Sequence, residues 1–458
     1  MSIIIKIETH KSYINYKYIY LIIHIMGING LWKFFKDQIE LVYIDKFYTH
    51  NKNDKVIIKP IFMVDINLYL HKYIIGIRHS GKDMVNNNGI VINHLQAITR
   101  FIRNFTDNML IPFCVFDGKS IQIKEDTIMK RREIRENAKE SCEKIKQILD
   151  IDNIQNIEND LYNEYVKNFK KSFSLTSKMI DECKLYLDLC GIPYITALNE
   201  SDPQLVGLSH YYQNIIEGIY SEDSDMFLYG AETLYKDFDK DKKTLKRLTL
   251  KSILNSLQQK SDLITNKYNI NKITITKKIF IDFAKILGTD YNNGIRKYGG
   301  NDRDKLFELF ILYNCNLQEL INNLKKSNKI NNEYYIPDDF LEKSELINSY
   351  YENVKIIDPD IFNIKLKEPE VGKIKILLTK NNFREDIITN ITHSLVKIYK
   401  IFNNCIKRIY SHENSNINFD INSDINFDIN SDIKNDIKNN NEWIVVKNKK
   451  HKSASIMS

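Results

Sequence analysis

Seven acidic residues stand at or just beyond short apolar runs of the sequence. One run, IFMVD, ends in Asp65, a second, PFCVFD, ends in Asp117, and two further runs are each followed by a pair of acids. The full set is Asp65, Asp117, Glu200, Asp202, Asp223, Asp225 and Asp290. Carboxylates gathered at one place repel one another strongly unless hard cations lie among them.

The ligand chemistry of this set favours magnesium. Carboxylate oxygens without His or Cys select Mg²⁺ or Mn²⁺, and two such ions roughly 4 Å apart would clamp the attacking and leaving oxygens of an in-line phosphoryl displacement. The six cysteines and ten histidines are scattered, with no CxxC pair and no HExxH motif, which disfavours zinc. The residue types therefore predict a two-ion centre that acts on phosphodiesters.

Most of these acids also have an ordinary structural explanation, which stays open when the residue is taken alone. These explanations are a strand-end turn for Asp65, a turn dipeptide for Asp117–Gly118, a helix N-cap followed by proline for Asp202–Pro203, and caps of a short helix for Asp223 and Asp225. The order and spacing of the set favour the metal centre.

The charge balance is compatible with a polyanionic partner. The chain has 458 residues, with 66 Lys and Arg against 59 Asp and Glu, a net charge of +7. The codon bias of an AT-rich genome inflates lysine, so this value alone is weak evidence for nucleic acid. Without the seven acids, 52 acidic residues remain against 66 basic ones, a balance of +14. An acidic pocket in a basic body suits a metal-dependent nuclease, because phosphodiester strands must approach the acids.

The composition is that of a globular protein. Apolar residues make up 43% and charged residues 27% of the chain, which excludes wholesale disorder. The apolar run at residues 18–25 lacks a signal-peptide cleavage site and is too short to span a bilayer. No other stretch approaches 18 apolar residues, so we expect an intracellular protein without a membrane segment.

Helical patterns separate the strand-like runs. Apolar residues recur every three or four positions over 138–149, and Met179, Cys183, Tyr186 and Cys190 repeat this spacing. Strands that alternate with helices predict an α/β fold with a mainly parallel central sheet flanked by helices. Sites in such sheets form beyond the carboxyl ends of the strands, which is where the acids would fall.

Seven short motifs follow one another in a distinctive order. They are MGINGLW (26–32), MVDIN (63–67), VFDGKSIQIK (115–124), KRREIRENA (130–138), DECKLYLDLCGIPY (181–194), SEDSD (221–225) and LGTDY (287–291). Their number, order and intervals resemble the flap endonuclease (XPG-type) family of structure-specific 5′-nucleases, over roughly residues 26–306. The resemblance implies a PIN-like 5′-nuclease core with a helical arch and a helix–two-turn–helix. The composition fits a large DNA virus or an AT-rich eukaryotic microbe.

The resemblance also implies roles for individual residues. Two Mg²⁺ ions, which Mn²⁺ could replace, would be held by Asp65, Asp117, Glu200 and Asp202 for the first ion and by Asp223, Asp225 and Asp290 for the second. Lys124 and Arg131 match the family's basic gateway beside the metals and would be catalytic. Their spacing of seven residues places both cations on one face of a helix. DNA contacts would come from His71, Arg78, Arg135, Arg296, Lys297 and Gly299.

Three departures from the family pattern bear on these roles. Asp202 replaces a usual Glu, which shortens the ligand by one methylene. His71 stands where a base-stacking aromatic is common, and it would either stack on a base or be a neutral core histidine. The segment after Asp290 takes the place of the helix–two-turn–helix, where backbone N–H groups in a Gly-rich turn bind phosphate oxygens, often with K⁺. Lys297 replaces the first Gly of that turn, which leaves the K⁺ site open.

The chain is predicted to divide into six segments. They are an N-terminal extension (1–25), an N-terminal nuclease region (26–140), a helical arch (141–180), an internal nuclease region with the helix–two-turn–helix (181–310), a helical C-terminal region (311–405) and a low-complexity tail (406–458). The extension is either genuine or follows an unused upstream start codon, since the family's Met-Gly-Ile start recurs at Met26. The tail repeats INFDINSD, which cannot bury enough apolar surface to fold, so we expect disorder.

These observations predict a Mg²⁺-dependent 5′-flap endonuclease and 5′→3′ exonuclease that cleaves DNA at double-strand/single-strand junctions in replication or repair. Its partners would be DNA with 5′ flaps or nicks, and the tail contains no sliding-clamp peptide. We expect a monomer in the nucleus or, for a virus, in the replication compartment. Two alternatives stay open: a 5′→3′ exoribonuclease-like enzyme, since 2′-OH contacts cannot be read from sequence, and a non-catalytic DNA-junction scaffold. The acidity of all seven positions argues against the scaffold.

Overall fold

The computed structural model describes residues 27–50, 56–58, 61–121, 124–148, 160–298, 302–331, 333–352, 355–359 and 366–413. The predicted N-terminal extension and the repeats of the tail lie outside the described residues. No helix within the described part of the chain is both long and apolar enough to cross a membrane.

Eleven strands are described, and seven of them form one central sheet. The strands are β1 (Glu40–Tyr43), β2 (Tyr48–His50), β3 (Val56–Ile58), β4 (Ile61–Asp65), β5 (Ile111–Phe116), β6 (Tyr194–Thr196), β7 (Ile216–Tyr220), β8 (Thr233–Asp239), β9 (Thr244–Thr249), β10 (Arg296–Lys297) and β11 (Tyr334–Tyr335). The central sheet has the order β1-β9-β8-β7-β4-β5-β6. Strands β8 to β6 of this order are parallel, and β9 and β1 add antiparallel pairs at one edge. The predicted mainly parallel sheet is confirmed.

Helices cover both faces of this sheet. The described helices are α1 (Leu31–Phe34), α2 (Ile66–Ile77), α3 (Asn93–Thr106), α4 (Glu125–Ile148), α5 (Asp160–Lys171), α6 (Ser177–Cys190), α7 (Ser201–Tyr211), α8 (Met226–Tyr229), α9 (Leu250–Tyr268), α10 (Lys277–Leu287), α11 (Arg303–Leu312), α12 (Leu317–Asn331), α13 (Phe340–Glu352), α14 (Val371–Lys380) and α15 (Glu385–Glu413). The two apolar spacings noted in the sequence lie in helices, as predicted: residues 138–148 lie in α4 and residues 179–190 in α6, whereas residue 149 lies outside the described residues.

The central strands β4 and β5 are buried along their whole length. Their side chains alternate between two cores, because successive residues of a strand point to opposite faces. Met63 packs in the core formed with α7, α9 and α10, whereas Phe62 and Val64 pack in the core formed with α2, α3 and α6. Cover on both faces explains why these strands are continuously apolar and why their acids occur only at their ends.

Helices α10 and α11 flank the segment predicted as the helix–two-turn–helix. The side chain of Thr276 accepts a hydrogen bond from the N–H of Ile279 at the start of α10, and Asp302 does the same for Lys305 at the start of α11. Such caps satisfy N–H groups that have no partner within the helix. Strand β10 lies between the two helices and pairs with β11, which follows α12. The predicted DNA contact at Gly299 lies outside the described residues.

Helices α4 and α5 pack against each other through a small core of their own. Cys142 and Ile145 of α4 contact Tyr162, Tyr165 and Val166 of α5. The predicted boundary between residues 140 and 141 falls inside α4, which runs without a break from residue 125 to residue 148. Likewise, α15 runs to residue 413, past the predicted start of the tail at 406. The remaining segment boundaries stay predictions.

Arg78 holds α5 against the turn that follows α2. Its side chain is only 8% exposed, and its guanidinium carbon lies 3.6 Å from the centre of the Phe169 ring in α5. Its Nε lies 3.0 Å from Oδ1 of Asp83. In the same turn, the hydroxyl of Tyr165 donates to the carbonyl oxygen of Gly81 at 3.2 Å. Protein groups enclose the guanidinium of Arg78. This burial disfavours the predicted DNA contact and indicates a structural role.

We expect Arg78→Ala to lower the free energy of unfolding by about 2 kcal/mol, because it removes a cation–π contact and leaves Asp83 without its cation. Urea unfolding followed by circular dichroism measures this change. Arg384→Ala is the matched control, since Arg384 pairs with Asp386 at the exposed surface, where ion pairs contribute little. An Arg78→Ala protein as stable as the control would contradict the structural role.

Candidate active site

Neighbouring parallel strands bring the acid-bearing segments to one edge of the sheet. β4 lies between β5 and β7, and β5 also pairs with β6. The seven acids leave this edge as follows: Asp65 ends β4, Asp117 follows β5, Glu200 and Asp202 follow β6, Asp223 and Asp225 follow β7, and Asp290 follows α10. Burial, and then the charges of the other acids in the set, raise the pKa values of Asp65, Asp202, Asp223 and Asp225. The structure therefore brings together all seven predicted metal ligands.

Hydrogen bonds orient the two acids at the centre of the sheet. Oδ1 of Asp65 accepts from the N–H of Leu68 at 3.2 Å, which caps α2. Oδ2 of Asp117 accepts from Asn67 Nδ2 at 2.8 Å, and its Oδ1 accepts from both the N–H and the hydroxyl of Ser201, at 3.0 and 2.7 Å. Asp65 is therefore a helix N-cap and not a turn residue, and the hydrogen bonds of Asp117 go to Asn67 and Ser201 and not to a turn with Gly118.

The acids after β7 and α10 are linked through backbone amides. Oδ1 of Asp223 accepts from the N–H of Asp225 at 2.9 Å, and Oδ2 of Asp225 accepts from the N–H of Asp290 at 3.3 Å. Asp225 stands at the N-cap of α8, yet its side chain makes no capping bond. Its carboxylate is directed to the cluster, so capping does not explain it.

The acids after β6 flank the start of α7. Glu200 is the N-cap residue of α7, and Asp202 is buried within the first turn. The expected N-cap at Asp202 is therefore wrong, because the helix begins two residues earlier. Pro203 still fits, since the first turn of a helix tolerates proline.

Two cations approach the acids from the start of α4. Nζ of Lys124 lies 2.6 Å from Glu200 Oε1 and 3.9 Å from Asp290 Oδ2, and Nη2 of Arg131 lies 3.0 Å from the same oxygen of Asp290. Burial alone would lower the pKa of Lys124, but the surrounding carboxylates, Glu200 foremost, raise it instead. The predicted placement of both cations on one face, pointing to the strand-end acids, agrees with these distances.

Burial and mutual repulsion raise the pKa values of the enclosed acids. The pKa of Asp223 rises to about 6, first because the carboxyl group is buried and second because of the charge of Asp290. Burial likewise raises the pKa values of Asp65, Asp202 and Asp225 well above their usual range, and neighbouring carboxylates add to this effect. A site with such values favours bound cations over further negative charge.

The donor set fits a divalent cation. All its donors are carboxylate oxygens, which hard cations prefer, and Oδ1 of Asp225 is buried without a hydrogen-bond partner among the described residues. Yet no three His, Cys, Asp or Glu side chains in the described part of the chain are arranged to hold an ion as they stand. The ammonium of Lys124 lies beside two of these carboxylates, those of Glu200 and Asp290.

Several residues beside the acids have no role predicted from the sequence. Glu222, directly before Asp223, pairs with Lys72 of α2, and its carbonyl oxygen accepts from Nε1 of Trp32 at 2.8 Å. The hydroxyl of Tyr291 donates to Oε2 of Glu200 at 2.8 Å. Trp32 and Tyr291 belong to motifs listed above, so the motifs could have indicated them, but their partners lie on other elements.

The other predicted DNA contacts fall into two groups. His71 and Arg135 lie beside Arg131: the pKa of His71 is lowered to about 4 by burial and then by the charges of Arg135 and Arg131. His71 is therefore neutral, and its ring is tilted against Phe173. Arg296 and Lys297 form β10, where Arg296 is exposed and Lys297 is half-buried.

Comparison with known proteins supplies the family. Residues 26–138 match the XPG N-terminal domain, and residues 191–290 match the XPG I-region. Flap endonuclease 1 of Plasmodium falciparum is 26% identical over 387 residues, which cover 82% of this chain and 53% of the relative. Flap endonuclease 1 of Methanococcoides burtonii is 30% identical over 241 residues, 52% of this chain and 66% of the relative. The chain thus spans about half the length of the Plasmodium relative.

Solved structures show the same fold. The catalytic core of Rad2 in complex with DNA substrate has a TM-score of 0.54 at 21% identity, covering 81% of this chain and 100% of that one. Flap endonuclease-1 from Methanococcus jannaschii has a TM-score of 0.51 at 22% identity, covering 80% and 98%. The XPG N-terminal match contains Asp65 and Asp117 together with Lys124 and Arg131. The I-region match contains the other five acids. The chain therefore belongs to the XPG-type flap endonuclease family.

Proposed function

We propose that the protein is a divalent-metal-dependent, structure-specific nuclease that hydrolyses DNA phosphodiester bonds at double-strand/single-strand junctions. In this proposal it acts as a 5′-flap endonuclease and 5′→3′ exonuclease in replication or repair. The observation that carries the proposal is the buried acid cluster with Lys124 and Arg131 both directed at Asp290. The relatives' name, flap endonuclease 1, and the DNA substrate bound by Rad2 support the choice of DNA.

The proposed ions are Mg²⁺, with Mn²⁺ as a substitute. In this assignment Asp65, Asp117, Glu200 and Asp202 hold the first ion, and Asp223, Asp225 and Asp290 hold the second. Bound ions of this kind activate water and offset charge on a phosphoryl group. The raised pKa values of the acids and the unpaired oxygen of Asp225 support this assignment.

We assign a separate role to the two cations at the start of α4. Lys124 and Arg131 offset the acids in the protein alone, and near a substrate they face the scissile phosphate, whose charge increases during the reaction. Cations already oriented toward such charge lower the barrier because they need no reorganisation. Both side chains are half-buried or buried, which strengthens their effect relative to cations in water.

Further DNA contacts are proposed on either side of this centre. Arg135, one turn beyond Arg131, and His71 would meet the strand near the cations, whereas Arg296 and Lys297 would meet the duplex backbone. The proposal also includes K⁺ near Lys297, monomeric action without a sliding clamp, and action in the nucleus or a viral replication compartment. Arg78 is not included, because it is enclosed by protein.

Gly27 packs directly on the acid cluster. Its φ of +77° suits glycine, and a Cβ at this position would lie 2.5 Å from Oδ1 of Asp223 and 2.7 Å from the nitrogen of Ser224. The N–H of the next residue, Ile28, donates to the hydroxyl of Ser224 at 3.0 Å. The start of the described chain therefore sets the position of the loop that carries Asp223.

The proposed function is tested on labelled flap, nicked, gapped, four-way-junction and RNA substrates in the presence of Mg²⁺. We expect cleavage near the junction of 5′-flap DNA, and loss of cleavage in Asp225→Asn with flap binding retained or tightened, because a repelling charge is removed. Gel analysis sizes the products, and fluorescence anisotropy measures binding. Preferred cleavage of RNA would support the exoribonuclease, and tight junction binding without cleavage of any substrate would support the scaffold.

We expect Lys124→Ala and Arg131→Ala each to lower the single-turnover cleavage rate at saturating enzyme by about a hundredfold. Arg131→Lys should recover little, because a guanidinium and an ammonium are not interchangeable. Arg132→Ala is the matched control, since Arg132 of the same helix is exposed and pairs with Glu136. If saturating enzyme restored the wild-type rate to both alanine variants, the two cations would only attract DNA.

We expect Gly27→Ala to lower the cleavage rate by about a hundredfold, because the added methyl group displaces Asp223 and small displacements of catalytic groups are costly. Single-turnover kinetics on the flap substrate measure this loss. Gly76→Ala in α2 is the control: an added Cβ there meets no atom within 4 Å, so activity should be unchanged. A fully active Gly27→Ala protein would show that the loop accommodates the methyl group.

A further inference from the structure

Helix α13 brings two adjacent tyrosines, Tyr350 and Tyr351, to the acid-bearing edge of the sheet. The ring centroid of Tyr351 lies 4.8 Å from that of Tyr229 and 5.7 Å from that of Tyr291. Tyr229 ends α8, the helix that begins directly after Asp225, and Tyr291 directly follows Asp290. Tyr351 therefore packs against the two segments that carry the acids proposed for the second ion.

The hydroxyl of Tyr351 is buried, and it has no hydrogen-bond partner among the described residues. The neighbouring hydroxyls are paired: Tyr291 donates to Glu200, and the hydroxyls of Tyr229 and Tyr291 are in hydrogen-bond contact. The packing of Tyr351 on these rings places an unused donor beside a charged site. Buried polar groups without partners are rare in proteins and commonly indicate a water or an ion.

Asp225 has the complementary unused group, since its Oδ1 is a buried acceptor without a partner in the described part of the chain. A single helical turn links the two groups, because Asp225 precedes α8, Tyr229 ends it, and the ring of Tyr351 packs on that of Tyr229. Burial raises the pKa of Tyr351 well above its usual range, and among the acids the charge of Asp225 contributes most to this shift. A bridging group would satisfy both this donor and this acceptor, which are buried and have no partner among the described residues.

We propose that Tyr351 is a positioning residue of the ion centre, and that its hydroxyl donates a hydrogen bond to the hydration shell of the cation held by Asp225. This inference rests on the proposed metal-dependent function. Mg²⁺ keeps several of its water ligands when it binds to proteins, and such waters need polar partners in a buried site. Groups of this kind, outside the ligand set, typically change metal affinity by 10-fold to 100-fold.

The test compares full-length Tyr351→Phe with the wild type in metal-free buffer and during titration with Mn²⁺. We expect the Kd for Mn²⁺, measured by isothermal titration calorimetry, to rise by about tenfold, because a shell contact is lost. We expect the Tm of the metal-free protein to stay the same or rise, because a buried hydroxyl without a partner is removed. Tyr350→Phe is the matched control and should leave the Kd for Mn²⁺ unchanged.

The outcomes separate this inference from the proposed function. An unchanged Kd in Tyr351→Phe, with wild type that binds Mn²⁺ and cleaves flap DNA, overturns the role of Tyr351 alone. A lower Tm of the metal-free variant also overturns it, because that result means that Tyr351 bonds directly to a protein group. Wild type that binds no Mn²⁺ overturns the inference together with the proposed metal dependence.

Discussion

Repulsion among the strand-end carboxylates is the constraint to which the rest of the site responds. The sheet fixes their positions: β4 is hydrogen-bonded on both sides, so the backbone of Asp65 cannot withdraw from its neighbours. Burial strengthens the repulsion, because low-dielectric surroundings screen charge poorly. The charge of the acids must therefore be offset where they stand, by groups that other elements supply.

Two kinds of group offset this charge: uncharged hydrogen-bond donors and cationic side chains. Backbone amides and small polar side chains bond to the carboxylate oxygens, as the N–H of Leu68 does for Asp65 and Ser201 does for Asp117. Full positive charge comes from Arg131 of α4 and from Lys124, which directly precedes α4 and lies within 4 Å of two acids. Since α4 is held by the acids as well as by its own contacts with α5, its start and the acid cluster depend on each other.

The sequence allowed prediction of those parts of the fold that local pattern determines. The acids could be placed at strand ends because β4 and β5 are continuously apolar up to their last residues, and the helical spacing of α4 and α6 identified their buried faces. Arg78 could not be judged, because its burial depends on Phe169, a residue on another helix. The tyrosines of α13 gave no signal either: their position beside Asp225 follows from how the C-terminal helices pack, and neither their type nor their spacing points to a metal centre.

Helices α4 and α5 form an excursion from the core, and the chain returns at α6, whose buried residues pack beneath the sheet. Two of the acids precede this excursion and five follow it. The pairing of the central strands sets the positions of the strand-end acids, and α4 and α5 contribute no strand to that sheet. The excursion beyond Arg131 can therefore change in length without changing how the acids lie relative to one another.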